Sequence, residues 1–278
     1  MSTPNGQIIN SASGQIVNGI QSAEYDSWTG INASSLKKFL VSPLHYKDWL
    51  DKKDTEPTSD AFRLGTAMHM LILEPHLFDE SFKVAPDVDR RTTVGRMAWR
   101  AFESELNAEQ DNYVDTKEMN MLDAMSKSVA KNSLWKALNS SGDKIVKEAG
   151  FECEYMGIKI KGRLDFYNKT QNVIVDWKTI SDTPTKRTVK SEVYSKGYDV
   201  QNFLYQKGVE IVTGVKPKFY FAFIEKKTPN AIAFYELPEW RINEVKEMVD
   251  VELVRMENAK KTNIYAGLPS ENCPMMLE

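Results

Sequence analysis

Gly162-Arg163-Leu164-Asp165-Phe166 and, past a polar gap, Val173-Ile174-Val175-Asp176-Trp177-Lys178-Thr179 decide how the chain reads. Tyr155 to Phe166 alternates, with Ile158, Ile160, Gly162 and Leu164 on one face and Lys159, Lys161, Arg163 and Asp165 on the other. That period belongs to a strand. Val173 to Trp177 is a short apolar run, as in a buried strand. Asn168-Lys169-Thr170-Gln171-Asn172 between them is turn material, so a hairpin is expected. Side chains two apart on a strand share a face. Asp176 and Lys178 therefore point the same way, and the hairpin brings Asp165 beside them. Two carboxylates and an ammonium at the end of a sheet suit a divalent metal and phosphodiester hydrolysis. The competing reading of an Asp-x-Lys triplet is a surface salt bridge. The triplet also occurs at Asp51–Lys53 and Asp115–Lys117, but only the third ends an apolar strand and follows a second strand with its own terminal Asp.

Composition bounds the rest. The 278 residues, 41% hydrophobic and 27% charged, suit one large domain or two small ones. There is no apolar run of the roughly 18 residues that span a bilayer. The opening residues lack a basic segment followed by an apolar one, so no signal peptide is expected. Two cysteines, Cys153 and Cys273, make neither a disulfide framework nor a four-thiolate cluster. A reducing cytoplasm is the simplest setting, and an iron–sulfur nuclease is excluded. A net charge of -3 argues against a generic basic nucleic-acid coat but leaves room for a local basic channel.

Along the chain, residues 1–24 are rich in Ser, Asn, Gly and Gln, and read as a flexible or loosely docked arm. Gly6-Gln7-Ile8-Ile9-Asn10 recurs there as Gly14-Gln15-Ile16-Val17-Asn18. Two copies are too few for a solenoid. Asn32 to Ser35 caps a helix, Pro43 opens the next, and 54–59 is a loop. Ala61 to Leu73 is helical by period, with Phe62, Gly65, His69 and Ile72 on one stripe. His69 is either a core histidine bonded to a carbonyl or a metal ligand aimed at the carboxylate hairpin. Asp89 to Arg96 gathers Arg90, Arg91, Thr92 and Arg96, forks and hydroxyls that suit phosphate oxygens, or else forms a solvated loop. Residues 97–137 read as two helices, the second from about Lys117 to Leu138, with Met121, Met125, Val129 and Trp135 as core. Asp182 to Ser195 is polar. Asp199 to Thr213 is helical, with Gln201 and Tyr205 within reach of one another. Lys218–Glu225 and Ala231–Leu237 read as strands, and Trp240–Lys260 as a long charged helix. The tail, from residue 263 on, is expected to be irregular.

Taken together, these separated motifs resemble the C-terminal nuclease domain of RecE-type exonuclease VIII, in the PD-(D/E)XK superfamily that also holds lambda exonuclease and the RecB nuclease domain. The matching text is Leu64-Gly65-Thr66-Ala67-Met68-His69, Leu73-Glu74-Pro75, Phe82 through Arg91-Thr92 with Gly95, Arg163-x-Asp165, Asp176-x-Lys178-Thr179, and Gln201 with Tyr205. It covers roughly residues 25–240, and residues 25–262 are expected to form the nuclease domain. The order and spacing of several motifs make it more specific than any one. Many superfamily members have Glu where Asp176 stands; exonuclease VIII also has Asp.

The resemblance implies an α/β, restriction-endonuclease-like core, a mixed central sheet flanked by helices. It implies a metal-dependent exodeoxyribonuclease that degrades linear double-stranded DNA from 5′ ends, leaving 3′ tails for a strand-annealing partner. Carried over, the metal ligands are His69, Asp165, Asp176 and the main-chain carbonyl of Trp177. Lys178 orients or activates the attacking water, and Gln201 and Tyr205 support the site. Arg90, Arg91, Thr92, Arg96, Lys161, Arg163 and Thr179 are the expected DNA contacts. Hard oxygen ligands suit Mg²⁺ and an imidazole suits Mn²⁺, so both metals are expected to work. The resemblance also implies a homo-oligomer, a tetrameric ring around DNA; the net charge of -3 fits such a ring if basic residues such as Lys159, Lys161, Lys186, Arg187 and Lys190 line its inner wall, and the competing reading is a monomer with a shallow basic groove. A structure-specific or single-strand nuclease, or a silent end-binding module of the same fold, are the competing functions.

Overall fold

The computed structural model describes residues 8–11, 13–52, 60–106, 112–140 and 142–268. The expected loop at 54–59 and the last ten residues of the tail lie outside them. In chain order the strands are β1 (Ile8–Ser11), β2 (Gly14–Val17), β3 (Lys83–Val84), β4 (Tyr113–Val114), β5 (Ile145–Tyr155), β6 (Ile158–Asn168), β7 (Val173–Ile180), β8 (Lys218–Glu225) and β9 (Ile232–Tyr235). The α-helices are α1 (Ser22–Ser27), α2 (Ala33–Val41), α3 (Pro43–Lys52), α4 (Asp60–Leu73), α5 (Phe78–Ser81), α6 (Thr93–Glu105), α7 (Thr116–Lys131), α8 (Ser133–Leu138), α9 (Lys186–Ser195), α10 (Tyr198–Thr213) and α11 (Glu239–Thr262).

Among the described residues seven strands form one sheet in the order β1-β2-β5-β6-β7-β8-β9, antiparallel except where β7 runs parallel to β8. Helices cover both faces. One core joins Leu36 and Phe39 of α2, Val200, Leu204 and Val209 of α10 and Val245 and Val249 of α11 to Phe151, Ile160, Leu164 and Phe221. The other joins Met68 and Ile72 of α4, Leu122, Met125 and Val129 of α7 and Trp135 of α8 to Phe166, Val175, Trp177 and Ala222. This is the mixed sheet flanked by helices that the resemblance implied. No described helix is long and apolar enough to cross a membrane.

The sequence misplaced several elements. Tyr155 to Phe166 is not one strand: Met156 (φ 54°) and Gly157 (φ 75°) make the two-residue turn between β5 and β6. Strand β5 went unread. The segment at 8–17 is no loose arm but a hairpin whose second strand pairs with β5, Ile16 opposite Phe151. Short polar strands carry little signal of their own; this pair is held by a partner far along the chain. The polar stretch after Asp182 contains α9, capped by Thr185. The long helix ending at Leu138 breaks at Asn132, whose side chain caps α8 by accepting the Trp135 N–H at 2.9 Å.

Candidate metal centre

The sheet bends where the carboxylates lie. Along β6, Ile160 and Leu164 enter the α10-side core, Phe166 enters the other, and Tyr167 returns to the first. The alternation slips by one residue at Asp165. Strand β5 slips at Glu148, since Val146 and Ala149 both enter the α10-side core. The two slips face each other: pairing runs Lys147 to Phe166 and resumes at Ala149 to Leu164, skipping Glu148 and Asp165. Glu148 has φ 45°, a left-handed conformation uncommon for a side-chain-bearing residue and a mark of functional sites. The β6–β7 ladder stops at Phe166 and Val175, and the strands part. In the gap Asp165 Oδ2 accepts the main-chain N–H of Trp177 at 2.7 Å.

Six side chains and a carbonyl converge on this opening. His69 arrives from α4, which Arg63 ties to α7 through two contacts with Glu118, 2.7 and 3.0 Å. Its Nε2 donates to the Trp177 carbonyl at 2.9 Å, and Nδ1 lies 3.5 Å from Asp165 Oδ2. Ligand atoms of His69, Glu148 and Asp165 lie within 4.8 Å of one another. Asp176, fully buried, faces Lys178, whose ammonium is 2.5 Å from Oδ2. Gln201 donates to Asp176 Oδ1 at 2.7 Å.

The electrostatics are those of a site poised for a cation. Burial pushes the Asp176 carboxyl up to about 6 despite Lys178. Burial, with the Asp165 charge, pushes Glu148 up to about 7. Asp165 is the exception: burial opposes its charge, but His69, Lys178 and the Trp177 N–H outweigh it and lower its pKa. Burial would likewise lower the imidazole, yet Asp165 raises His69 to about 9. Raised carboxylates and an imidazolium wedged against a carboxylate are what a cluster of ligands does without its metal. A donor set of one imidazole and carboxylate oxygens fits Mg²⁺ or Mn²⁺.

The other expected residues separate. Glu148 was missed: it stands alone in a polar stretch, and only the β5–β6 register gathers it. Tyr205 packs edge-on against Phe151, 5.6 Å between ring centres, and bonds to Gln201, so it positions the glutamine and does not touch the carboxylates. Lys161 is a correction. It is buried, its ammonium donates to the carbonyls of Tyr25 and Trp28 at 2.8 and 2.7 Å, and it serves to dock α1. It cannot line a DNA channel. Arg163 is also engaged, its Nε 3.0 Å from Glu148 and its Nη1 bonded to Ser22. Thr179 is half-buried on β7. The basic loop folds on itself: Arg91 pairs with Asp89, Arg90 stacks on Trp99 at 3.2 Å, Arg96 donates to the Arg91 carbonyl, and Thr92 caps α6. Of the helical stripe, Ile72 is buried but Phe62 is exposed, so its His69 end faces the opening and its Phe62 end faces solvent.

One solved structure shows the same fold. A presumed exonuclease from Eubacterium rectale has a similar structure, with TM-score 0.65, 18% identity, and coverage of 93% of this chain and 94% of that one. A phage-related exonuclease from Haemophilus somnus also matches, at TM-score 0.36 and 15% identity over 86% of this chain and 99% of that one. No curated protein matches by sequence. A family model described as a PDDEXK-like domain of unknown function (DUF3799) matches residues 32–277, most of the chain, and the chain belongs to that family.

Proposed function

We propose that the chain is a metal-dependent exodeoxyribonuclease that resects linear double-stranded DNA from 5′ ends. The observation that carries the nuclease reading is the double slip at Glu148 and Asp165. It gathers His69 and two carboxylates beside the buried Asp176–Lys178 pair. Family membership supports it, since PD-(D/E)XK folds are built around such a site. Duplex substrate, 5′ to 3′ direction, an annealing partner and a ring-shaped oligomer rest on the resemblance to RecE-type domains. With Lys161 buried, any such inner wall relies on other cations.

His69, Glu148 and Asp165 would hold Mg²⁺ or Mn²⁺, with Asp176 and the Trp177 carbonyl at hand. A divalent ion there supplies polarisation of the phosphoryl group and a more acidic water. Lys178 places positive charge where the pentavalent phosphorus gathers negative charge. Gln201 fixes the Asp176 carboxylate, and Tyr205 fixes Gln201.

The test is nucleotide release from 5′- and 3′-labelled linear duplex, closed circular duplex and single strands, with Mg²⁺, Mn²⁺ or chelator. Metal-dependent loss of the 5′ label from linear duplex alone is expected. Cutting of circles or preference for single strands would favour a different nuclease. Binding without cutting in any metal would leave an end-binding module.

A further inference from the structure

Helix α2 carries a cation that the metal centre does not use. The helix is firmly placed: Asn32 and Ser35 form a reciprocal capping box, Leu36 and Phe39 are buried in the core, and Ile31 bridges to Ile160 of β6. Lys37 leaves it toward Tyr198, its ammonium 5.4 Å from the ring centre. Lys178 lies 4.9 Å from the centre of the same ring. One aromatic ring is thus shared by two ammoniums. Lys178 is paired with Asp176, whereas Lys37 makes no ion pair among the described residues. The fold also leaves room for it. Gly197 has φ 61°, and a Cβ there would lie 2.8 Å from Lys37 Cδ and 3.0 Å from Cγ.

In the free protein burial and the Lys178 charge disfavour the Lys37 ammonium and lower its pKa, outweighing the attraction of Asp176 and Asp199. An unpaired, half-buried cation beside a second cation is a standing cost unless something arrives to neutralise it. The chemistry that does so is an oxyanion with several acceptor oxygens, and a nucleic-acid strand presents one at every residue. We propose that Lys37 is a substrate-positioning residue that binds the phosphate next to the scissile one on the same strand, with the Tyr198 ring spacing it from Lys178. The proposal rests on the nuclease reading and names a residue which that reading does not include.

The experiment uses the full chain as wild type, Lys37→Gln and Lys37→Arg. Binding of a fluorescent linear duplex is followed in Ca²⁺ across a salt series, cleavage is followed in Mn²⁺, and melting is followed without DNA. Lys37→Gln is expected to bind roughly tenfold more weakly at low salt, the loss of one charge-assisted hydrogen bond. Its slope of log affinity against log salt should shrink by about 0.9. KM should rise more than kcat falls, the melting temperature should hold or increase, and Lys37→Arg should keep most of the affinity. A lower melting temperature with an unchanged salt slope would make Lys37 structural and overturn the proposal. Wild-type cleavage with an unaltered Lys37→Gln slope would overturn it while leaving the nuclease standing. A wild type that neither binds nor cleaves DNA removes both.

Discussion

Asp165 Oδ2 accepts the Trp177 main-chain N–H at 2.7 Å and lies 3.5 Å from His69 Nδ1. One carboxylate oxygen thus stands in for a strand carbonyl and faces the imidazole. The consequence is a division of labour within a single side chain. Its oxygen maintains the fold where β6 and β7 part, and its charge serves the site.

Those two roles come apart in substitutions. Asp165→Asn keeps an acceptor for the Trp177 N–H but loses the charge. Cleavage should fall by at least about 100-fold, and the melting temperature should drop only by what the His69 pairing contributes. Asp165→Ala leaves that buried N–H unpaired, at about 1–3 kcal/mol, and should melt lower. Near-normal cleavage by the Asn variant would place the chemistry elsewhere.

Asp176→Asn and Lys178→Ala test the ion pair at 2.5 Å. Each removes charge that matters in the transition state, and each should cost at least about 100-fold in rate. Gln201→Ala acts only through Asp176 and should cost less. Circular dichroism of all three should match wild type. A single-turnover assay that ranks Gln201→Ala worst would reverse the assignment.

How much of this was legible depends on the range over which each residue is held. The Asp176–Lys178 pair was readable because a strand alternates locally and the apolar run marks burial. Glu148 was not, because its place comes from a slip opposite Asp165 across two strands. The alternation that set Lys161 beside Arg163 and Asp165 was sound for half of β6, but it could not show that α1 covers that face. The carbonyls of Tyr25 and Trp28 claim the ammonium there. Gly162 was legible only as a position on the apolar face of the strand. The structure gives it a packing reason: a Cβ there would lie 2.3 Å from Phe151, whose ring fills the gap between Gly162 and Gly208.

That slot makes a stability prediction away from the chemistry. A Cβ on Gly208 would lie 2.2 Å from the Phe151 ring, which is fully buried and cannot swing aside. Gly208→Ala should destabilise by about 1–3 kcal/mol through overpacking. Because α10 also carries Gln201, activity should fall as the helix is pushed off β5. Denaturant unfolding measures the first effect. An unchanged midpoint would mean that the slot is loose.

The pH dependence follows from His69. Its folded pKa, about 9, stands above the ordinary 6.5. A raised imidazole stabilises fully below 6.5 and loses that contribution as pH rises through 9. Glu148, pushed up to about 7, has the same sign. Its protonated form is favoured in the fold, and that contribution is lost as pH rises from the ordinary carboxyl value of 4.5 to about 7. The metal-free protein should therefore melt lower at pH 8.5 than at 6.5. Metal binding needs the same groups deprotonated, so it releases protons and strengthens with pH. The rise in melting temperature on adding Mn²⁺ should be larger at pH 8.5, and His69→Ala should flatten both trends. Equal Mn²⁺ shifts at the two pH values would remove His69 and Glu148 from the ligand set.

The basic loop gives the last prediction. Arg91 is exposed, yet its fork is occupied by Asp89, with Nε 2.9 Å and Nη2 3.0 Å from the two carboxylate oxygens. Arg96 donates to the Arg91 carbonyl at 3.0 Å, and the turn closes tightly because Gly95 has no Cβ to strike the Asp89 carbonyl. The loop is a preformed presentation of arginines with one internal counter-ion. If it meets phosphate, Asp89 competes with the DNA for Arg91. Arg91→Gln and Arg96→Gln should each flatten the slope of log affinity against log salt by about 0.9. Asp89→Asn should do the reverse and tighten binding at low salt, because Arg91 gains a free fork and the loop loses a negative charge. Arg90 lies flat on Trp99 and should matter less than either. A salt titration of these variants and Arg90→Gln by fluorescence anisotropy reads all of this at once. Unchanged slopes in every arginine variant would assign the loop to capping α6 alone.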